Sequence, residues 1–248
     1  MYLADAKILN IEKTFECGQC FRWNAGGKGI YRTYNAEVYE ENGKVYVESD
    51  KPLSFWEDYF DLDEDYGAHE KEFFVYPYMK ECTEFGRGIR ILRQDPFEAL
   101  ISFIISQCNN IPRIKGIVET LCEGGPFPTA EEILNKDLTP LHAGYRVPYI
   151  MNAAGEVADG SLNLDKLKTC SYEEAKRRLL MIQGVGEKVA NCAILYGLHH
   201  MEAFPIDVWM KRALKENFPE DFDAKKLGPF AGLAQQYIFY YARQTADD

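Results

Sequence analysis

The segment Leu180-Met181-Ile182-Gln183-Gly184-Val185-Gly186-Glu187-Lys188-Val189-Ala190 constrains this 248-residue chain more than any other. Upstream, Ser171 with Glu174 three residues later predicts a capped amphipathic helix over YEEAKRRLLMI. That helix runs into a Gly-x-Gly turn, and a second helix begins at once. Gly184 and Gly186 let the backbone approach a phosphate closely, and the free N–H groups opening the second helix favour an anion. Residues 171–198 thus read as a helix-hairpin-helix unit. Such a unit specifies a polyanionic partner more than it specifies a reaction, and an ordinary helix–helix turn would carry the same local pattern.

Chemistry enters with Lys188 in that unit and Asp207, nineteen positions later. A neutral lysine amine can attack an anomeric carbon and hold a sugar as a Schiff base, and burial or nearby positive charge can keep it neutral. A carboxylate close by would complement it. Each residue also has a plainer reading: Lys188 as a solvated helix lysine, Asp207 as the N-cap of the helix VWMKRALKE.

The first third of the chain follows a different period. Residues 30–40 and 44–48 are rich in Tyr and Val and flank Asn42-Gly43, a pair suited to a tight hairpin turn. An antiparallel sheet is predicted there. From about Leu53 the pattern turns helical. Asp95-Pro96-Phe97-Glu98 supplies a cap, a first-turn proline and a capping-box acid before the apolar run ALISFIIS. Pro148 and Pro229 are placed to open two further helices. The fold class expected is α+β, with an N-terminal antiparallel β domain over residues 1–85 and a mainly helical body over residues 86–248.

Net charge of −11 opposes tight non-specific binding to a polyanion, but the charge is unevenly spread. Residues 176–215 hold seven basic side chains (Lys176, Arg177, Arg178, Lys188, Lys211, Arg212, Lys215) against three acidic ones, so a DNA face there is compatible with an acidic whole. No apolar stretch approaches the roughly 18 residues of a membrane span. The seven cysteines suit reduced thiols better than a disulfide framework. A cytoplasmic, intracellular protein with no membrane partner is expected.

Several ordered blocks carry a family resemblance. Gln183-Gly184-Val185-Gly186-Glu187-Lys188-Val189-Ala190-Asn191-Cys192 followed by Phe204-Pro205-Ile206-Asp207-Val208 resembles the helix-hairpin-helix glycosylases, and most closely the 8-oxoguanine DNA glycosylases. The likeness extends through Cys17-Gly18-Gln19-Cys20-Phe21-Arg22-Trp23, Leu92-Arg93-Gln94-Asp95-Pro96-Phe97-Glu98, Asn109-Asn110-Ile111-Pro112-Arg113-Ile114, Gly144-Tyr145-Arg146, and Ala234-Gln235 with Phe239. It implies an N-terminal β domain packed on two helical bundles with the active site between them. It further implies a bifunctional glycosylase and abasic-site lyase of base excision repair, acting as a monomer on duplex DNA that contains oxidised guanine, formamidopyrimidines included.

By resemblance, Lys188 is the nucleophile and Schiff-base residue, and Asp207 the acid that assists departure of the base. Cys192, one turn beyond Lys188, and Phe239 would sandwich the flipped base, although each alone also reads as a core residue. The lesion carries hydrogen at N7 where guanine has an acceptor, so the carbonyl implied for Gly18 can accept from the lesion and is left unpaired by guanine. Gln235 would bind the Watson–Crick edge. Tyr145 would act as a wedge, Arg113 and Arg146 would read the orphaned cytosine, and Asn109, Asn110, Gly184 and Gly186 would contact DNA.

The sequence departs from the family pattern at Gln183, which stands in place of a proline, at Cys108, in place of the first of three asparagines, and at Trp209, in place of a histidine. No cofactor is required. Cys17 and Cys20 form a single C-x-x-C pair without a second, and the four histidines lack ligand spacing, so no transition-metal site is expected. The ion with a precedent in the superfamily is a structural cation on hairpin carbonyls. Two other functions fit parts of the pattern: a glycosylase for another lesion, and a non-catalytic DNA-binding module built on the hairpin.

Overall fold

The computed structural model describes residues 1–246. Five strands, β1 (Tyr2–Asp5), β2 (Asn24–Gly27), β3 (Ile30–Arg32), β4 (Ala36–Glu41) and β5 (Lys44–Ser49), form one antiparallel sheet in the order β1-β5-β4-β3-β2. β4 and β5 meet through Asn42-Gly43. Both turn residues have positive φ (53° and 76°), as a two-residue turn matched to the strand twist requires. Val38 pairs with Val47, and both side chains are fully buried.

The stretch 30–40, expected as a single strand, is two. The chain folds back at Thr33–Asn35, where the Thr33 N–H donates to the Ala36 carbonyl, and β3 pairs with β4. No glycine or proline marks that turn. The sheet's apolar face closes over Leu9, Ile11, Phe15, Trp23, Trp56 and Phe60, with the Phe15 and Trp23 rings stacked at 4.4 Å.

A larger core fills the helical body and begins well before residue 85. Tyr66, Phe73, Met79 and Cys82, from helices Tyr66–Phe73 and Met79–Gly86, join it because these helices pack on the final helix Ala231–Gln244, where Phe73 meets Tyr237. Cys17 and Phe21 belong to the same core, whereas Cys20 and Trp23 belong to the sheet's. The loop that carries Gly18 therefore lies where the two cores meet.

At the centre runs the helix Pro96–Ile105, in which only Phe97 and Glu98 escape full burial. Asp95 Oδ1 caps it, accepting from the Phe97 and Glu98 N–H groups at 2.9 Å each. Glu98 does not complete the expected capping box. Its carboxylate turns to Arg22 at 3.7 Å, across the seam between sheet and body. Ser171 likewise caps the helix Tyr172–Leu179 at 3.3 Å, while Glu174 pairs with Arg177. The final helix opens at Ala231, two residues after Pro229, following Gly228 at φ 78°. The architecture is α+β, and among the described residues no helix is long and apolar enough to cross a membrane.

Candidate active site

The hairpin turns where its glycines allow. Gly184 adopts φ +83°, and a Cβ there would lie 2.2 Å from Cγ of Tyr149, so only glycine fits. Gly186 has φ −97° and caps the next helix, and a Cβ on it would meet nothing within 4 Å. What its missing side chain leaves bare is the start of helix Glu187–Ala193, whose first N–H groups have no backbone partner among the described residues, as at any helix start. A Lys176–Glu187 ion pair at 2.7 Å and a Tyr172–Asn191 hydrogen bond at 2.7 Å tie the two hairpin helices together.

Lys188, in the first turn of that second helix, is half-buried. Its Nζ donates to Ser106 Oγ at 3.0 Å and sits 5.0 Å from the centre of the Phe103 ring. Ser106 in turn donates to the Phe103 carbonyl at 2.8 Å, so its lone pairs are free for the lysine. One turn on, Cys192 is buried, and burial pushes its thiol up to about 11 despite the adjacent Lys188 charge. It is a neutral, packing thiol at neutral pH.

Asp207 is the N-cap of helix Val208–Asn217, its Oδ1 accepting from the Met210 N–H at 2.9 Å. The plain reading of this residue is correct as far as it goes, and the cap fixes the carboxylate beside the lysine's pocket. Lys188, Asp207, Cys192, Gly18, Gln235 and Phe239 all line one inner pocket, together with Cys17, Phe103, Pro205 and Tyr196. That pocket has a volume of about 40 Å³, enough for a few waters and too little for a purine.

Gly18 has φ +81°, and a Cβ there would lie 3.4 Å from Cε1 of Phe239, so this ring stands against the loop. Outside the pocket opens a cleft of about 930 Å³. Its charged lining is Lys188, Lys211 and Arg243 against Glu187 and Asp207, so the chain's acidic excess lies elsewhere.

The residues assigned to DNA contact lie around this cleft in different states. Asn109 and Asn110 line it, but Asn109 Nδ2 donates to the Ile105 carbonyl at 2.8 Å and Asn110 caps the helix Ile111–Cys122 through the Arg113 N–H at 3.0 Å. Tyr145 is 51% exposed, as a wedge must be. Arg113 is exposed, whereas Arg146 is 5% exposed and its guanidinium is spent on the carbonyls of Gln107, Cys108 and Ala143. In this state Arg146 holds the turn 106–110 and presents no free donor edge. Cys108, exposed at φ 50°, sits on that turn.

Sequence reasoning missed Ser106, Tyr196, Gln236 and Arg243. Each acts through contacts between distant segments. Tyr196 enters the pocket wall from a π-turn, Ile194–Leu198, that continues helix Glu187–Ala193, a local widening no pattern announced.

Comparison with known proteins agrees with this geometry. Residues 1–100 match the family model for the 8-oxoguanine DNA glycosylase N-terminal domain. The chain is 35% identical to an N-glycosylase/DNA lyase of Saccharomyces cerevisiae over 53% of its own length, a match that spans 42% of the yeast protein. It is 30% identical to a probable N-glycosylase/DNA lyase of Methanothermobacter thermautotrophicus over 231 residues, covering 75% of this chain and 72% of that one. It superposes with a TM-score of 0.87 and 35% identity on the Clostridium acetobutylicum 8-oxoguanine glycosylase/lyase solved with duplex DNA containing cytosine opposite 8-oxoguanine, covering 96% and 93% of the two chains. With Lys188, the capped Asp207, Cys192 and Phe239 on one pocket and these relatives alongside, the chain belongs to the 8-oxoguanine DNA glycosylase family.

Proposed function

We propose that this protein is a DNA glycosylase with abasic-site lyase activity that excises 8-oxoguanine, and formamidopyrimidine lesions, from opposite cytosine in duplex DNA, acting as a monomer. The observation that carries this reading is the convergence of six residues, Gly18, Lys188, Cys192, Asp207, Gln235 and Phe239, from four separate parts of the chain on one pocket. In the reaction, the Lys188 amine, once it has given up its proton, attacks C1′ of the flipped nucleotide. The Nζ–C1′ bond forms as the C1′–N9 bond breaks, and the base leaves with a proton. The Asp207 carboxylate stabilises positive charge developing on the sugar. Ring opening gives a Schiff base. Loss of a C2′ proton then expels the 3′ phosphate and nicks the strand.

Recognition would use the Gly18 carbonyl for the N7 hydrogen and Gln235 for the Watson–Crick edge, with Cys192 and Phe239 above and below. Since Arg146 is held by the turn 106–110, reading of the orphaned cytosine falls first to the exposed Arg113. The hairpin turn also leaves the carbonyls of Gln183 and Val185 without hydrogen bonds among the described residues, the donor type that a structural cation there needs. The direct test is release of free 8-oxoguanine from a defined duplex with cytosine opposite. Release with strand nicking supports the proposal; release of an alkylated base instead, or DNA binding without any base release, would redirect it.

A further inference from the structure

The peptide that carries Gly18 is clamped on both sides. On one side the Cys17 carbonyl accepts from Nε2 of Gln236 at 2.9 Å. On the other the Gln19 carbonyl accepts from Nε2 of Gln94 at 2.8 Å. Between them, no hydrogen bond ends on the Gly18 carbonyl among the described residues. Three consecutive carbonyls could each offer an acceptor near the base; two are taken.

Gln236 is fully buried, and both ends of its amide are used. Its Oε1 accepts the Tyr196 hydroxyl at 2.6 Å. A carbonyl oxygen only accepts, so the amide must turn its nitrogen to Cys17 and its oxygen to Tyr196, and the network has one arrangement. Tyr196 itself lines the inner pocket, and its hydroxyl oxygen lies 3.3 Å from Oε1 of Gln235. One phenol therefore borders both elements assigned to reading the base: the Gly18 loop, through Gln236, and the Gln235 amide.

We infer that Gln236 and Tyr196 are positioning residues for lesion recognition. They retain the Cys17 carbonyl inside the protein, so that the Gly18 carbonyl is the acceptor offered to the N7 hydrogen of the lesion, and they limit where Gln235 can stand. Neither touches the reacting atoms. The inference rests on the reading of Gly18 as the lesion-sensing acceptor. Its energetic logic is that a contact that separates two nearly identical bases must be placed to a fraction of an ångström, and buried, fully satisfied amides supply that rigidity.

The test uses Gln236→Met, which keeps the volume and removes donor and acceptor, and Tyr196→Phe, which keeps the ring. Thermal unfolding checks that each is folded; should Gln236→Met not fold, Tyr196→Phe decides. Three quantities are compared with wild type: excision of 8-oxoguanine opposite cytosine, borohydride trapping on a preformed abasic site, and, in a Lys188→Gln background, affinity for a lesion duplex relative to a guanine duplex. A misplaced acceptor should lower excision and relative affinity by about 10- to 100-fold in Gln236→Met and less in Tyr196→Phe, while abasic-site trapping stays within about 2-fold. A merely structural role would lower all three together. Unchanged excision and unchanged lesion preference in both folded variants would overturn the inference. A wild-type protein with no preference for 8-oxoguanine would instead overturn the reading on which it rests.

Discussion

Gly184 and Gly186 are separated by one residue, yet substituting alanine at each should break different things. At Gly184 the backbone lies in the left-handed region, and a Cβ would fall 2.2 Å from Cγ and 2.4 Å from Cδ2 of Tyr149. The conformational term costs about 1–2 kcal/mol for a residue with a side chain. Relief of the clash requires Tyr149 to swing away, at roughly 1–3 kcal/mol for an overpacked site. Tyr149 is half-buried and can move outward, which favours the lower end, so Gly184→Ala should destabilise the protein by about 2–4 kcal/mol. Gly186→Ala meets no atom within 4 Å and keeps a φ that any residue adopts. It should change stability by less than about 0.5 kcal/mol, as an open site does. If the bare helix start receives a phosphate, however, its methyl group intrudes on that contact and weakens duplex affinity by about 1–2 kcal/mol, roughly 5- to 30-fold. Urea unfolding reads the first effect and fluorescence anisotropy with a short duplex at fixed salt reads the second. A fully stable Gly184→Ala protein would refute the steric argument, and a Gly186→Ala protein with wild-type affinity would refute the phosphate contact.

Tyr145→Ala, removing a half-exposed ring that donates only weakly to Gln107, should leave stability intact and slow processing of a lesion duplex more than trapping on an already abasic strand; equal slowing of both would remove its wedge role. Wild type should favour cytosine opposite the lesion, and Arg113→Ala should lose about 1–3 kcal/mol of that preference, which rates measured against all four opposite bases will reveal or contradict. Asp61 links the sheet's flank to His199, at the end of the π-turn that follows the Lys188 helix. Burial works to raise its pKa, but the hydrogen bond and charge of His199, the Tyr66 hydroxyl and Arg93 outweigh burial and hold it well below the usual carboxylate range. With the folded pKa depressed, this carboxylate contributes stability above about pH 4 that is lost as pH falls further. Asp61→Asn should therefore cost roughly 1–3 kcal/mol at pH 7 and flatten the acid limb of the stability profile, and an unaltered acid limb would contradict the assignment.

What the sequence made legible follows from how locally each feature is determined. Asn42-Gly43 announced its hairpin because positive φ at two successive residues is costly for most others. Asp95 and Asp207 announced their caps because the cap bonds reach only two or three residues ahead. The break at Thr33–Asn35 carried no such residue, and it arises from pairing of β3 with β4. Glu98 had the spacing of a capping box, but Arg22, seventy-six positions away, drew it off. The pocket's six principal residues were found through several matched blocks together, since Cys192 or Phe239 alone is indistinguishable from core packing. Gln236 could not be found that way: its partner carbonyl lies 219 residues distant in sequence, and only the folded chain brings them together. Arg146 shows the opposite case, a residue picked out by motif that is occupied by protein carbonyls in this state.

The proposed Schiff base depends on the Lys188 amine, held by Ser106 at 3.0 Å beside the inner pocket. Borohydride added during turnover of duplex containing 8-oxoguanine opposite cytosine should trap a covalent protein–DNA complex in wild type and none in Lys188→Gln, with Ser106→Ala trapping more slowly than wild type. Undiminished trapping by Lys188→Gln would contradict the account, because some other amine would then be the nucleophile.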